Sequence, residues 1–557
     1  MNIAPIRVAW LILAVVLLPS IWIAWTYRAM PQVGAYHDDA IYLETAKSLA
    51  ETGTYRIPSM PGQPYQTKYP PLLPWLLSIV WYMDPNFPAN LPKMTLLCWS
   101  LLALYVLQMF QVMQQWGRGP VVAATLAGFA AISPHLILAG TMAMSELAFG
   151  ALVMTSILFL EHGMDRIKNS LPATVAFALA GISGGLAFLT RTQGVALLVS
   201  SLAVLAYRHL WRQTLVFGSI FSLAILGWAV WSRTHAYTGM DPVILYYVDY
   251  VRFFLIDIKL TDLPVFAWTN LDSICSAVAG LLFAGPSVTL WERMLAWVVT
   301  CGAVSGIVRI TRESDRLHFV AYALVSMLML LPWPWPPNER YLIPILPVIA
   351  LGFAREIVHL VDMCRVNLRK SIPEKVIATG ILLGIASLVI SIGLGNVRGA
   401  TVQLPSILND FADIATQRQP GYEWIRANTA PDATFLTYDD PLLYLRTNRR
   451  GYALPVLHWL SYGGNSNRTA AYFDTTESFM AEHQLDYALI TVGDFRRDLT
   501  QEGQRKFLAA MGDGLKFERT FSSPGASVFR RVATPGLSAT LPGSWWSSVR
   551  ESIPSIE

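Results

Sequence analysis

The sequence predicts a polytopic α-helical membrane protein carrying a small α/β domain outside the membrane. Three observations predict it. Of 557 residues, 54% are hydrophobic and only 14% charged, where a soluble domain carries about 25% charge. Apolar runs long enough to cross about 30 Å of hydrocarbon recur from residue 8 to residue 395. After about residue 400 the apolar runs shorten, and Asp, Thr, Arg and Gly become frequent.

The first run, Val8 to about Trp25, follows Met1–Arg7 in the manner of a signal peptide. Its length and the lack of a small-x-small cleavage site favour a retained span. Further spans are expected near 92–112, 120–138, 214–231, 290–309, 341–361 and 376–395, with shorter ones near 147–161, 172–188, 193–207 and 317–333. The total is about 11. Leu72 to Met83 is too short to cross and reads as a re-entrant or interfacial helix. Basic loops at Arg118, Arg166/Lys168, Arg208/Arg212, Arg309/Arg312/Arg316 and Arg365/Arg369/Lys370/Lys375 then all fall on the cytoplasmic side with Arg7. The loops 27–91, 139–146, 232–289 and 333–340, and the chain after about 396, fall outside.

In the outer domain, Thr434–Tyr438, Asp486–Val492 and Ser527–Val532 read as strands. Gly421–Ala427, Phe473–Leu485 and Gln501–Met511 read as helices. Domain boundaries follow at 1–398 (membrane domain, first outer loop 27–91), 399–533 (α/β domain) and 534–557 (a poorly ordered tail whose Trp545-Trp546 can touch the membrane surface). The 19 Trp and 22 Tyr suit interfacial belts. A net charge of +4 argues against nucleic acid as a partner. Cys98, Cys275, Cys301 and Cys364 are scattered, form no CxxC pair, and point to neither zinc nor a disulfide framework. No P-loop, Gly-rich nucleotide loop or GxSxG elbow is present.

Chemistry-bearing residues collect in the outer loops. Asp38 can cap a helix from about Asp39 to Thr52 that Gly53 ends. Adjacent acids beside a membrane also suit a general base or a metal, while a plain cap with a solvated neighbour accounts for them equally. His37 reads as an acid-paired surface residue, or as a ligand or base. Lys68 precedes Tyr69-Pro70-Pro71, where it can meet a lipid phosphate as a point charge or snorkel to head groups. Glu146, after Ser145, is an ionisable group near membrane depth or a helix-cap acid. Arg340 in Asn338-Glu339-Arg340-Tyr341 can clamp a phosphate or anchor at the interface. Arg191 reads mainly as a packing residue, and Asn467-Arg468-Thr469 fits a weak glycosylation sequon.

Four motifs together resemble the GT-C glycosyltransferases: Asp38-Asp39-Ala40-Ile41-Tyr42-Leu43-Glu44, Lys68-Tyr69-Pro70-Pro71, Ser145-Glu146 and Arg340-Tyr341-x-x-Pro344. The pattern is closest to the family that includes aminoarabinose transferases of lipid A, RgtA/B/C/D-like galacturonosyl transferases and protein O-mannosyltransferases. The resemblance implies a GT-C-like membrane domain of about 11–13 helices and inverting transfer of a sugar from a polyprenyl-phosphate donor. The acceptor is a lipid, glycan or protein, and the active site lies outside the cytoplasmic (inner) membrane. It implies Asp38 as catalytic base and Glu146 as second catalytic acid, although relatives often carry Asp at that place. Asp39, Tyr42, Lys68, Tyr69, Arg340 and Tyr341 fall to substrate binding. It implies no resident cofactor or metal ligand, with Asp38-Asp39 leaving room for a divalent ion. A lipid-linked sugar transporter or flippase, or a glycan polymerase, are the alternatives. The former predicts charges near span centres and repeated halves, and no repeat is visible here. No motif identifies the sugar or the acceptor.

Overall fold

A computed structural model describes residues 4–255, 260–285, 289–368, 372–453, 475–494, 511 and 516–532. The Gln501–Ala510 part of the expected helix, the sequon and the tail after residue 533 lie outside the described residues. The chain divides into two compact units.

The first unit comprises residues 1–28, 93–229 and 260–406. Among the described residues of the whole chain, eight helices are long and apolar enough to cross a membrane, and five shorter apolar helices accompany them. The expected run 120–138 is two helices, Pro120–Ala131 and Pro134–Ala139. Pro134 lacks the N–H that a continuing helix needs and instead starts the second one. Leu263–Phe283 is a correction. It is a 21-residue apolar helix inside what the sequence reading took as an outer loop. Asp272, Asn270 and the helix ends made that stretch read as polar. The structure spends these groups internally: Asp272 accepts from Arg293 at 2.5 Å and from Trp297 Nε1 at 3.0 Å, and Asn270 donates to the Leu331 and Trp333 carbonyls.

The Leu290–Glu313 and Leu346–Asn367 helices approach closely at a glycine pair. A Cβ on Gly306 would run into the Gly352 carbonyl, the small-residue contact that lets apolar helices pack backbone to backbone. Residues of three of the basic loops meet in this unit: Lys168 pairs with Asp315 at 3.1 Å, Arg208 reaches the Asp315 carbonyl, and Arg316 pairs with Asp165 at 2.9 Å.

The second unit comprises residues 29–92, 230–259 and 407–557. Its sheet has the order β2-β1-β3-β5-β4, from β1 (Thr434–Thr437), β2 (Arg450–Tyr452), β3 (Tyr487–Thr491), β4 (Phe517–Ser523) and β5 (Ala526–Arg531). β1 runs parallel to β2 and β3; β5 is antiparallel to β3 and β4. β2 and β4 were not expected from sequence; Arg450, Glu518 and Arg519 mask their alternation. One core joins all three segments: Ile41, Ile57 and Met60 from the first, Val243, Leu245 and Tyr247 from the second, and Leu436, Phe479 and Phe529 from the third.

The helix of the first loop spans Asp38–Thr52 and ends at Gly53, whose φ of +66° is the left-handed C-cap that glycine adopts without strain. Its start corrects the sequence reading. Asp38 is the first helical residue, and His37, at φ +63°, occupies the cap position with no side-chain cap bond. The Asp38 side chain is thereby released for another contact.

Candidate functional site

In the second unit Asp38 Oδ1 accepts a 2.5 Å hydrogen bond from the Tyr69 hydroxyl. Tyr42, one helical turn on, meets the Tyr69 ring edge to face at 5.3 Å. The Tyr55 hydroxyl holds the Tyr69 carbonyl at 3.0 Å, and Gln66 Oε1 accepts from the backbone N–H groups of Lys68 and Tyr69. This short segment is therefore pinned on both sides of its peptide.

Lys68 is buried. Its ammonium donates to the Tyr246 carbonyl at 2.8 Å and lies over the rings of Tyr250, Tyr246 and Tyr69 at 3.5, 4.4 and 4.7 Å. Each desolvated ring contact of this kind contributes about 0.5–2 kcal/mol. Burial still pushes the amine down to about 7, against the opposing pull of Asp38.

Asp39 is placed differently. It is 1% exposed, and its two oxygens accept the N–H groups of Gly34 (2.8 Å) and Tyr36 (3.3 Å). It ties down the turn that leads into the helix. Burial, then Asp439, raise its pKa to about 7 against those two bonds.

A deeper carboxylate pair lies below. Glu44 accepts from Ser59 N at 2.9 Å, and the Ser59 hydroxyl sits 3.1 Å from Glu44 Oε1 and 2.7 Å from Asp440 Oδ2. The Tyr247 hydroxyl donates to Asp440 Oδ1. A serine hydroxyl has one proton to give, so it cannot serve two carboxylates; one acid must carry a proton and donate it. Burial and then Asp440 raise Glu44 well above the usual carboxylate range, which makes Glu44 the protonated partner. Asp440 rises to about 6, by burial first. His37 approaches Asp439 at 3.6 Å. Burial lowers its pKa, but Asp439, Asp440 and Asp38 outweigh burial and raise it.

In the first unit Glu146 is 1% exposed at the start of the Glu146–Lys168 helix. Its Oε1 accepts from Arg191 at 2.8 Å and from both Nε and Nη2 of Arg340 at 2.9 Å. Arg191 also reaches Ser145 Oγ at 3.0 Å and stacks over Tyr341 at 5.7 Å. Arg340 N is capped by the Asn338 side chain. Two guanidinium groups on one carboxylate leave a net positive charge.

The structure thus brings Asp38, Tyr42, Lys68 and Tyr69 together in one unit, and Glu146, Arg340 and Tyr341 in the other. Sequence reasoning missed Tyr246 and Tyr250, although the aromatic run Tyr246-Tyr247-x-x-Tyr250 was a signal. It gave Glu44 no role of its own, missed Asp439 and Asp440, and underweighted Arg191. Among the described residues no group of three or more His, Cys, Asp or Glu side chains is arranged to hold a metal ion.

No family model and no curated protein matches the chain. Solved structures do. ArnT, an aminoarabinose transferase from Cupriavidus metallidurans bound to undecaprenyl phosphate, is 13% identical, with a TM-score of 0.51 covering 90% of this chain and 95% of that one. The Archaeoglobus fulgidus oligosaccharyltransferase in its apo form is 12% identical, with a TM-score of 0.52 over 87% of this chain and 69% of that one. The same enzyme tethered to an acceptor peptide gives 12%, 0.51, 96% and 75%. At such identities the likeness is one of fold, and the fold is that of the GT-C glycosyltransferases.

Proposed function

We propose that this GT-C-fold chain is an inverting glycosyltransferase, moving a sugar from a polyprenyl-phosphate donor to a lipid, glycan or protein acceptor at the outer face of the cytoplasmic membrane. The observation that carries the reading is Asp38, held by Tyr69 next to the caged Lys68. A similar structure that holds undecaprenyl phosphate supports a lipid phosphate as the carrier.

The division of work follows from the charges. Asp38 takes the proton of the acceptor hydroxyl. The hydroxyl oxygen forms the new bond to the anomeric carbon as the bond from that carbon to the phosphate oxygen breaks. The electron pair leaves on the phosphate, and a cation in a low-dielectric site stabilises it more than water does. Lys68 is such a cation in the second unit. Tyr42 and Tyr69 set the position of Asp38, and Asp39 holds the preceding turn. Glu146 orients Arg340 by accepting both its Nε and Nη2.

The test incubates purified protein with radiolabelled polyprenyl-phosphate sugars and membrane extract. The expected result is label in an acceptor, lost in Asp38→Asn. Full transfer by Asp38→Asn refutes the base assignment. Label that crosses vesicles without joining an acceptor identifies a transporter instead.

A further inference from the structure

The second unit contains a cavity of about 300 Å³ whose lining shares no residue with the Asp38, Lys68 and Tyr69 group. That is roughly ten times the ~30 Å³ share of one water. Arg418 and Tyr422, one turn apart on the Leu404–Asn428 helix, line it, and so does Arg446 of the Asp440–Thr447 helix.

Arg446 is half-buried. Among the described residues its guanidinium makes no hydrogen bond and no ion pair; it lies over the Phe87 ring at 5.1 Å. Burial lowers its pKa, and Arg426 adds to that effect while Tyr422 opposes it. A charge taken out of water without a partner is unfavourable. Two further donors stand with it. Arg418 spends Nε and Nη2 on the Val492 carbonyl and Asp494, which leaves Nη1 without a hydrogen bond among the described residues. The Tyr422 hydroxyl likewise makes none there, in a residue only 5% exposed. Burial raises its pKa against the pull of Arg418 and Arg446, so it keeps its proton at neutral pH. Both guanidinium groups act on this phenol, and the three donors form one group.

We propose that these donors bind the phosphate of a singly charged phosphodiester, at a site separate from the one that transfers sugar. A guanidinium takes two phosphate oxygens side by side. A tetrahedral phosphate presents further oxygens to donors on the other helix, whereas a carboxylate has only two, in one plane. Asp494 balances Arg418 at 3.0 Å, so Arg446 supplies one net positive charge, which matches a diester better than a dianion. Two acids also line the cavity. Asp439 is already faced by His37 at 3.6 Å. Asp410 is exposed and stands eight residues before Arg418, roughly 12 Å along the helix and beyond the screening length of about 8 Å at physiological salt. The same chemistry occurs in a phospholipid headgroup and in a soluble glycerophosphodiester. Lys68 is no part of the lining, so the donor phosphate assigned above is a different one.

The test titrates glycerophosphoglycerol, by calorimetry, into full-length protein held in phosphatidylcholine nanodiscs. Saturable binding with a Kd of about 1 mM or tighter is expected. It should weaken at least about tenfold in Arg446→Gln, by a smaller factor in Tyr422→Phe, and not at all in Lys68→Met. Arg446→Gln should also melt no lower than the parent in phosphate-free buffer, because it removes a charge that has no ionic partner. Nanodiscs that contain phosphatidylglycerol separate the two sources. Loss of probe binding there, dependent on Arg446, identifies the lipid headgroup as the ligand; unchanged binding identifies the soluble diester. A purely structural arginine would instead melt lower when replaced and leave probe binding intact. Absence of saturable binding, binding that survives Arg446→Gln, or binding lost in Lys68→Met overturns the site.

Discussion

Lys68 makes a quantitative prediction about pH. Its amine is buried under three tyrosine rings, and burial brings its pKa from 10.5 to about 7. That difference corresponds to roughly 5 kcal/mol of preference for the neutral amine. For the fold, the sign is that stability present above pH 10.5 is lost as the pH falls toward 7. For the proposed function it is opposite, because the ammonium is the form that stabilises a donor phosphate. A polyprenyl phosphodiester stays singly ionised across neutrality, so the change belongs to the protein. At pH 6 about nine-tenths of Lys68 is protonated and at pH 8 about one-tenth. Donor kcat/KM should therefore fall about tenfold over that interval. Asp440 and Asp39, with pKa values of about 6 and 7, titrate in the same window. The diagnostic is thus the ratio of parent to Lys68→Arg, since arginine keeps its charge throughout. Lys68→Met should lose roughly 10²–10³ at pH 6, the scale of removing one preorganised charge stabiliser. The assay is initial-rate transfer at limiting donor from pH 5.5 to 8.5 in one detergent. A parent-to-Lys68→Arg ratio that stays flat from pH 6 to 8, or Lys68→Met equal to the parent at pH 6, refutes the reasoning.

Asp38→Asn should lower kcat about 10²- to 10⁴-fold, with donor lipid binding retained in equilibrium measurements; Tyr69→Phe, which removes only the 2.5 Å bond to Asp38, should lower kcat by a smaller factor. Glu44→Gln should leave the melting temperature at pH 7 nearly unchanged because Glu44 is already neutral, whereas Glu44→Ala, which orphans Ser59 N, should cost about 1–3 kcal/mol by chemical denaturation. Glu146→Gln should destabilise the protein by about 3–5 kcal/mol by leaving two guanidinium groups without their carboxylate, read as a fall in melting temperature that Arg191→Met partly restores.

The fold was legible because the membrane spans announce themselves by length and composition, and because three strands of the second unit are short runs rich in apolar and β-branched residues. The Leu263–Phe283 helix was not legible: its Asn270 and Asp272 look like solvent contacts until partners from distant helices satisfy them. The site was half legible. Asp38, Lys68 and Tyr69 lie within about 30 residues of one another, so a loop reading could associate them. Tyr246, Tyr250 and Asp440 come from segments some 180 and 370 residues further on, and only the shared core of Ile41, Tyr247 and Leu436 brings them in. Asp38 as a helix cap was a reasonable local inference, yet His37 at φ +63° takes the cap position and hands Asp38 to Tyr69.

Burial gives the carboxylates different tasks even where sequence makes them look alike. Asp38 and Asp39 are adjacent, yet Asp39 spends both oxygens on backbone N–H groups and fixes a turn, while Asp38 is met by a hydroxyl that can release it. Glu44 is deeper still and becomes a neutral structural acid through Ser59. Glu146 faces the opposite environment. Its Oε1 is shared by Arg191 and Arg340, so two positive charges stabilise its ionised form. A general base with that surplus of cations around it is a poor proton acceptor. On the function proposed above the same surplus of cations suits a phosphate, and the ion pair with Glu146 offsets part of it when no phosphate is bound.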